Sequence, residues 1–284
     1  MTVQFGLKDK VIVVTGSGRP KGLGQGILQR FADEGAKCVV SDLGAPREHM
    51  GKEHIGSSSD MEEVTDELKS RGAEAISIPC DVTKEEDCKA LIYQTVEAFG
   101  RIDVIVNNAG IGYIMKPMTQ VTQDEWMAVL GVNLMGAFLC TKYAAIQMEK
   151  QGPNANGVTG RIINIASQAG KSGFPHMAPY TASKHGLIGL TRSNAVELGK
   201  LGITVNAVCP NHVTTGLGAK QNEYFSKYFG VNQEEYMQNM RAKNPMGRPG
   251  LPSDTANACA FLASDAAQYI TGEGLNVSGG EEMH

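Results

Sequence analysis

The chain has 284 residues, 42% of them hydrophobic and 20% charged, with a formal net charge of −4. That length admits one large α/β domain or two small ones, with a substantial core, and the lack of a basic excess argues against nucleic acid as a partner. The apolar runs at 11–14 and 102–106 are short, so no membrane-spanning helix is expected.

In chain order, short β-branched runs alternate with longer helical patterns. Strands are expected at 11–15, 37–41, 74–79, 102–107, 160–166, 203–208 and 274–277, and helices at 23–34, 61–71, 84–99, 123–150, 179–200 and 253–262. This alternation predicts a doubly wound parallel sheet, and the absence of a linker predicts a single domain over 1–284. Three stretches break the rhythm: a Gly/Ser/His insertion at 43–60, a polar tip at 151–159, and a segment at 211–252. The last is too long for an ordinary connection and is expected to be a substrate-lid loop.

The first strand runs into Gly16-Ser-Gly18-Arg19-Pro-Lys21-Gly22-Leu23-Gly24-Gln-Gly26. A buried strand, a glycine-rich turn and a helix start make a dinucleotide cradle, in which bare backbone approaches a pyrophosphate and free N–H groups bind it. Asp42 ends the second strand, where a carboxylate accepts ribose hydroxyls and repels a 2′-phosphate. NAD is therefore expected over NADP, although Arg19 and Lys21 pull the other way.

Further on, Ser167 precedes Tyr180-Thr-Ala-Ser-Lys184. A spacing of four places phenol and ammonium on one helix face, about 5–6 Å apart at Cβ. Pro179 suits the first helical turn. The helix dipole and the cation would both lower a phenol pKa that starts near ~10, which suits proton exchange with an alcohol or carbonyl.

Taken together, these residues resemble the short-chain dehydrogenase/reductase family over essentially the whole chain. The motifs are Thr15-Gly16…Gly22-Leu-Gly24, Asp81 after the third strand, Asn107-Asn108-Ala109-Gly110, Asn133, Ser167, Tyr180-x-x-x-Lys184, Pro210 and Val277-Ser-Gly-Gly280. The resemblance implies a Rossmann-like seven-stranded sheet and assembly as a homodimer or homotetramer. It also implies a catalytic set of Asn133, Ser167, Tyr180 and Lys184: Tyr180 as general acid/base, Ser167 on the substrate oxygen, Lys184 on the nicotinamide ribose, and Asn133 holding a relay water. The implied cofactor contacts are Gly16, Gly18, Arg19, Gly22, Leu23, Asp42, Asp81, Val82, Asn108, Ala109, Gly110, Tyr180, Lys184, Pro210, Val213 and Thr215.

Some of these residues also have plainer readings: Asp81 as a helix cap, Asn133 as a structural bond in its helix, Ser167 as a strand-end cap. Two departures from the family pattern stand out. The loop from Gly16 to Gly22 is two residues longer than usual, and Gly18 restores the spacing if Gly18, Gly22 and Gly24 are the working glycines. Asn211 replaces the glycine after Pro210, and its tolerance of left-handed backbone would preserve the turn.

Substrate contacts are expected from 111–115, Gln168, Phe174, His176, Met177 and the lid, with His176 as an exposed loop side chain. The reading is an NAD-dependent oxidoreductase of a secondary alcohol, cyclic alcohols and polyols included, and its ketone. The close alternative is an NADPH-dependent 3-oxoacyl-carrier-protein reductase; a non-catalytic dinucleotide sensor and an NAD-retaining lyase or epimerase are more distant ones. The six cysteines include no Cys-x-x-Cys, and with no secretory leader visible a cytoplasmic location is expected. His49 and His54 sit in a polar loop without a partner cluster, so no metal site is expected.

Overall fold

The computed structural model describes residues 5–45 and 55–283. His49, His54 and the middle of the 43–60 insertion lie outside the described residues.

Seven strands form one all-parallel sheet in the order β3-β2-β1-β4-β5-β6-β7. They are β1 Val11–Thr15, β2 Lys37–Asp42, β3 Ala75–Pro79, β4 Val104–Asn107, β5 Gly160–Ile165, β6 Ile203–Pro210 and β7 Gly274–Val277. Strands β1, β4, β5 and β6 are buried along their whole length, as expected where helices cover both faces of a parallel sheet. The order reverses between β1 and β4, and their carboxyl ends open the crevice where α/β folds bind ligands.

One face is covered by α1 (Leu23–Asp33) and α9 (Pro252–Ala263), through Ile27, Leu28 and Phe31 against Cys259 and Ala260. The other face is covered by α3 (Glu85–Phe99) and α5 (Ala137–Gln151), through Leu91, Ile92, Leu139, Ala144 and Met148. Helix starts follow local chemistry. Ser57 and Asp60 make a capping box for α2 (Ser58–Ser70), and Thr122 and Glu125 make one for α4 (Gln123–Leu130). Pro179 stands in the first turn of α6 (Ala178–Leu198).

Three expectations change. First, the 211–252 segment is not a loop: it folds into α7 (Gly216–Tyr228) and α8 (Gln233–Lys243). Helix α8 buries no residue and α7 only Gly218, Phe225 and Ser226, so neither carries the apolar stripe that marks a core helix. Second, the helix expected at 123–150 is α4 and α5 joined through a π-helical turn, Gly131–Gly136, with Asn133 inside it.

Third, that continuous Gln123–Gln151 segment is long and apolar enough to cross a membrane by length and composition, which its interrupted apolar runs conceal. Half of its most apolar window is buried inside the protein. Its outer face leaves Met127, Met135, Phe138 and Ile146 exposed at helical spacing.

Candidate active site

The carboxyl ends of the strands, α7 and α8 enclose a cleft of about 380 Å³. Of the expected cofactor contacts, Gly16, Arg19, Leu23, Asp42, Asp81, Val82, Asn108, Ala109 and Gly110 line it, and so do Pro210, Val213 and Thr215. Ser167, Tyr180 and Lys184 line the same cleft. Gly18 and Gly22 do not.

The glycine loop owes its shape to close approaches. A Cβ on Gly16 would meet Ala109 Cα at 2.6 Å, and one on Gly24 would meet the Gly16 carbonyl oxygen at 2.6 Å. Gly18 instead packs beneath the ribose acid: a Cβ there would lie 2.5 Å from Met61 Cγ and 2.7 Å from Asp42 Cβ. Gly22 is crowded too, since a Cβ there would meet the Arg19 carbonyl oxygen at 2.9 Å.

Neighbouring strands brace the loop. Asn108 Nδ2 donates to the carbonyls of Thr15 and Gly16, both at 2.9 Å, while Thr15 Oγ1 accepts from Asn108 N at 3.2 Å and Ala109 N at 3.1 Å. Gly22 caps α1 and offers its first-turn N–H groups no side-chain hydrogen bond. An anionic pyrophosphate fits that donor set.

Asp42 is already engaged. It accepts from Leu43 N at 2.9 Å, Gly56 N at 3.1 Å and Gly18 N at 3.1 Å. Burial pushes its carboxyl up, and these three N–H groups and the Arg19 charge pull it back. Three of roughly four lone-pair sites on a carboxylate are used, which leaves one for a ribose hydroxyl. Asp81 Oδ1 accepts from the N–H of Thr83 at 3.1 Å and its hydroxyl at 2.7 Å, so this carboxylate shapes the turn into α3 and lines the cleft as well.

Ser167 follows β5, and its hydroxyl accepts from Ala169 N at 3.1 Å. Tyr180, in the first turn of α6, lines the cleft together with Ser167. One turn on, Lys184 is buried, donates to the Ile165 carbonyl at 2.7 Å and lies 5.6 Å from the Tyr180 ring centre. The expected depression of the phenol is corrected here: burial pushes Tyr180 up, and the neighbouring Ser167 hydroxyl only partly offsets it. Burial also pulls Lys184 down to about 8. Desolvation outweighs the helix dipole and the nearby cation.

Asn133 does not line the cleft but stands behind it. Its Oδ1 accepts from Ile111 N at 2.8 Å, and its Nδ2 donates to Ile111 O at 2.9 Å and to Ser183 Oγ at 3.0 Å. Ser183 Oγ in turn donates to the Tyr180 carbonyl at 2.7 Å. This side chain therefore couples the π turn, the β4 loop and the first turn of α6.

Two expectations about side chains fail. His176 is half-buried rather than an exposed loop residue: at φ 63 it turns the chain into α6, and its Nδ1 shares a 2.7 Å hydrogen bond with the Tyr224 hydroxyl. Asn211 does not use left-handed backbone; among described non-glycine residues only Asp9, Lys21 and His176 do. Its Nδ2 instead donates to Ser278 O at 3.3 Å and to Glu281, which ties the turn to the C-terminal tail.

His212 and Glu281 also line the cleft and escaped the sequence reading. His212 is a buried imidazole beside Glu281, and burial lowers its pKa. His212 stands two residues past Pro210 in a turn already assigned to the site, so position alone marked it. Glu281 arrives only through tertiary folding.

Comparison with known proteins agrees with this geometry. A family model described as enoyl-(acyl carrier protein) reductase matches residues 16–282. A 3-oxoacyl-[acyl-carrier-protein] reductase of Staphylococcus aureus is 36% identical over 274 residues, covering 96% of this chain and 98% of that protein. Among solved structures, a single-residue variant of the actinorhodin polyketide ketoreductase with NADPH has a TM-score of 0.85 at 36% identity, covering 97% of this chain and 98% of that one. NAD+-bound xylitol dehydrogenase has a TM-score of 0.85 at 33% identity, covering 96% and 99%. The chain belongs to the short-chain dehydrogenase/reductase family of Rossmann-fold oxidoreductases.

Proposed function

We propose that the protein is an NAD-dependent oxidoreductase that interconverts a secondary alcohol, cyclic or polyol, and its ketone. The observation that carries this reading is Ser167, Tyr180 and Lys184 lining one cleft, with Lys184 buried one turn along α6 from Tyr180. A bound nicotinamide dinucleotide supplies or accepts the hydride. Tyr180 gives a proton to the carbonyl oxygen in reduction and takes it back in oxidation, while Ser167 holds that oxygen in place. The Lys184 charge stabilises the phenolate left behind, and low surrounding polarity strengthens the effect. Asn133 fixes the first turn of α6 through Ser183.

Asp42 supports NAD, since its carboxylate faces the cleft at the end of β2 and repels a 2′-phosphate. The substrate end is walled by Phe174, Met177, Phe225, Phe229, Tyr236 and Met240, which supports a substrate with an apolar or cyclic face. A second reading, a 3-oxoacyl-carrier-protein reductase using NADPH, draws on the Staphylococcus aureus relative, and Arg19 in the cleft supports it. A panel of cyclic ketones, polyols and 3-oxoacyl thioesters, assayed with each nucleotide at the reduced-nicotinamide absorbance band, separates the two. Turnover confined to thioesters with NADPH overturns the first reading.

The same reading makes the protein a homodimer or homotetramer in which a second copy covers Met127, Met135, Phe138 and Ile146 on the outer face of α4 and α5.

A further inference from the structure

The chain enters α6 through Phe174-Pro175-His176-Met177. Phe174, Pro175 and Met177 line the cleft, and His176 between them does not. Alone of the four, His176 has left-handed backbone, at φ 63. A non-glycine residue keeps that conformation where its surroundings fix it, and such residues gather at functional sites. Here the fixing contacts come from two sides. The His176 carbonyl accepts from Lys116 N at 3.0 Å, just past the cleft-lining residues 111–113. The His176 ring goes to α7: Nδ1 shares its 2.7 Å hydrogen bond with the Tyr224 hydroxyl, and Tyr228 stands edge-on at 4.5 Å between ring centres.

Tyr224 and Tyr228 do not line the cleft but touch side chains that do. Tyr224 meets Phe225 edge-on at 5.3 Å, Phe225 stacks on Phe229 at 6.3 Å, and Phe229 stacks on Tyr236 of α8 at 6.3 Å. Phe225, Phe229 and Tyr236 belong to the apolar wall of the substrate end. The helices that carry this wall bury few side chains of their own: none on α8, and on α7 only Gly218, Phe225 and Ser226. A series of ring contacts thus runs from the turn four residues before Tyr180 to the surface that a substrate would touch. Ring contacts tolerate a range of separations, whereas a hydrogen bond fixes a length and a direction.

We propose that His176 is a positioning residue for substrate: its bond to Tyr224 sets the α7–α8 wall at a fixed distance from Tyr180 and so selects ketones whose apolar part fills that gap. This role presupposes the alcohol–ketone reading of the cleft. Breaking the bond leaves Ser167, Tyr180 and Lys184 in place and loosens the wall. The loss then falls on binding of a bulky substrate and not on the chemical step.

The test compares β-tetralone, which has two fused rings, with butanone in steady-state kinetics of the full chain. Tyr224→Phe keeps the ring and removes only the hydrogen bond. KM for tetralone should rise by about tenfold, the scale of one lost hydrogen bond, with kcat, the butanone KM, nucleotide affinity and Tm nearly unchanged. His176→Asn keeps a residue that tolerates left-handed backbone and removes the ring. It should raise the tetralone KM at least as far, and the double variant should be no worse than His176→Asn alone. Equal KM changes for the two ketones, an unaltered KM, or a fall in kcat and Tm without a change in KM would overturn the proposal. Hydrogen exchange of the α7 amides reads the link without substrate: it should quicken in Tyr224→Phe while α9 keeps its wild-type rate. A wild type that reduces neither ketone contradicts the alcohol–ketone reading, and exchange then decides the link alone. Unchanged α7 exchange in Tyr224→Phe sinks it.

Discussion

The ammonium of Lys184 lies 5.6 Å from the centre of the Tyr180 ring while donating to the Ile165 carbonyl at 2.7 Å. Four residues apart on α6, the two side chains share a helix face, and burial acts on both. It pulls the amine down to about 8 and pushes the phenol up. At neutral pH the pair is then ammonium beside intact phenol, the protonation state that delivers a proton to a carbonyl.

Lys184 gives stability a pH signature. Its folded-state pKa of about 8 lies below the ordinary 10.5, so between those values the unfolded chain binds more protons and stability rises with pH. Lys184→Met should flatten that rise in denaturant melts between about pH 8 and 10, before tyrosine titration intervenes, and should raise stability below pH 8. The wild-type gain is on the order of 3 kcal/mol. Parallel profiles for the two proteins would mean that burial does not tax the lysine.

Gly112 is the space that lets Tyr180 sit where it does. A Cβ at Gly112 would lie 2.9 Å from both Tyr180 Cδ2 and Cε2. Gly112→Ala should tilt the phenol and cut kcat by about a hundredfold, the scale of a 1 Å misplacement, with Tm nearly unchanged. Steady-state kinetics beside a melting curve would show the split.

Asn133→Ala removes the acceptor for Ile111 N and the donor to Ile111 O. Each orphaned buried group costs about 1–3 kcal/mol, so Tm should fall by several degrees along with activity. Asn133→Asp keeps the acceptor and should recover part of the Tm.

Asp42→Asn retains an acceptor for the loop N–H groups and removes the charge. The ratio of kcat/KM for NAD over NADP should drop by about tenfold or more, the scale of a lost charged hydrogen bond. An unchanged ratio would move cofactor choice to Arg19 or beyond.

Phe138→Glu places a charge on the exposed apolar face of α5. Sedimentation velocity should show smaller species than for the wild type; an unaltered distribution would place the contact between copies elsewhere.

The sheet was legible because each strand is a short β-branched run with a helix behind it, and every one of the seven lies where the pattern puts it. The Ser167, Tyr180 and Lys184 positions were legible from helix spacing and motif order. Helices α7 and α8 were hidden because they face the cleft rather than the core and so lack an apolar period. The phenol's shift was misjudged because a spacing reveals the cation but not the burial. The roles of His176, Asn211 and Glu281 depend on contacts across 48 to 70 residues of chain, which no local pattern encodes.

The central claim, that Tyr180 moves the proton, is tested most directly by replacing it with Phe and measuring turnover and nucleotide binding together. Turnover of the best ketone substrate should fall by about 10²–10⁴-fold while nucleotide affinity, read by fluorescence titration, stays within a few-fold of the wild type. Retained turnover in Tyr180→Phe would contradict the account.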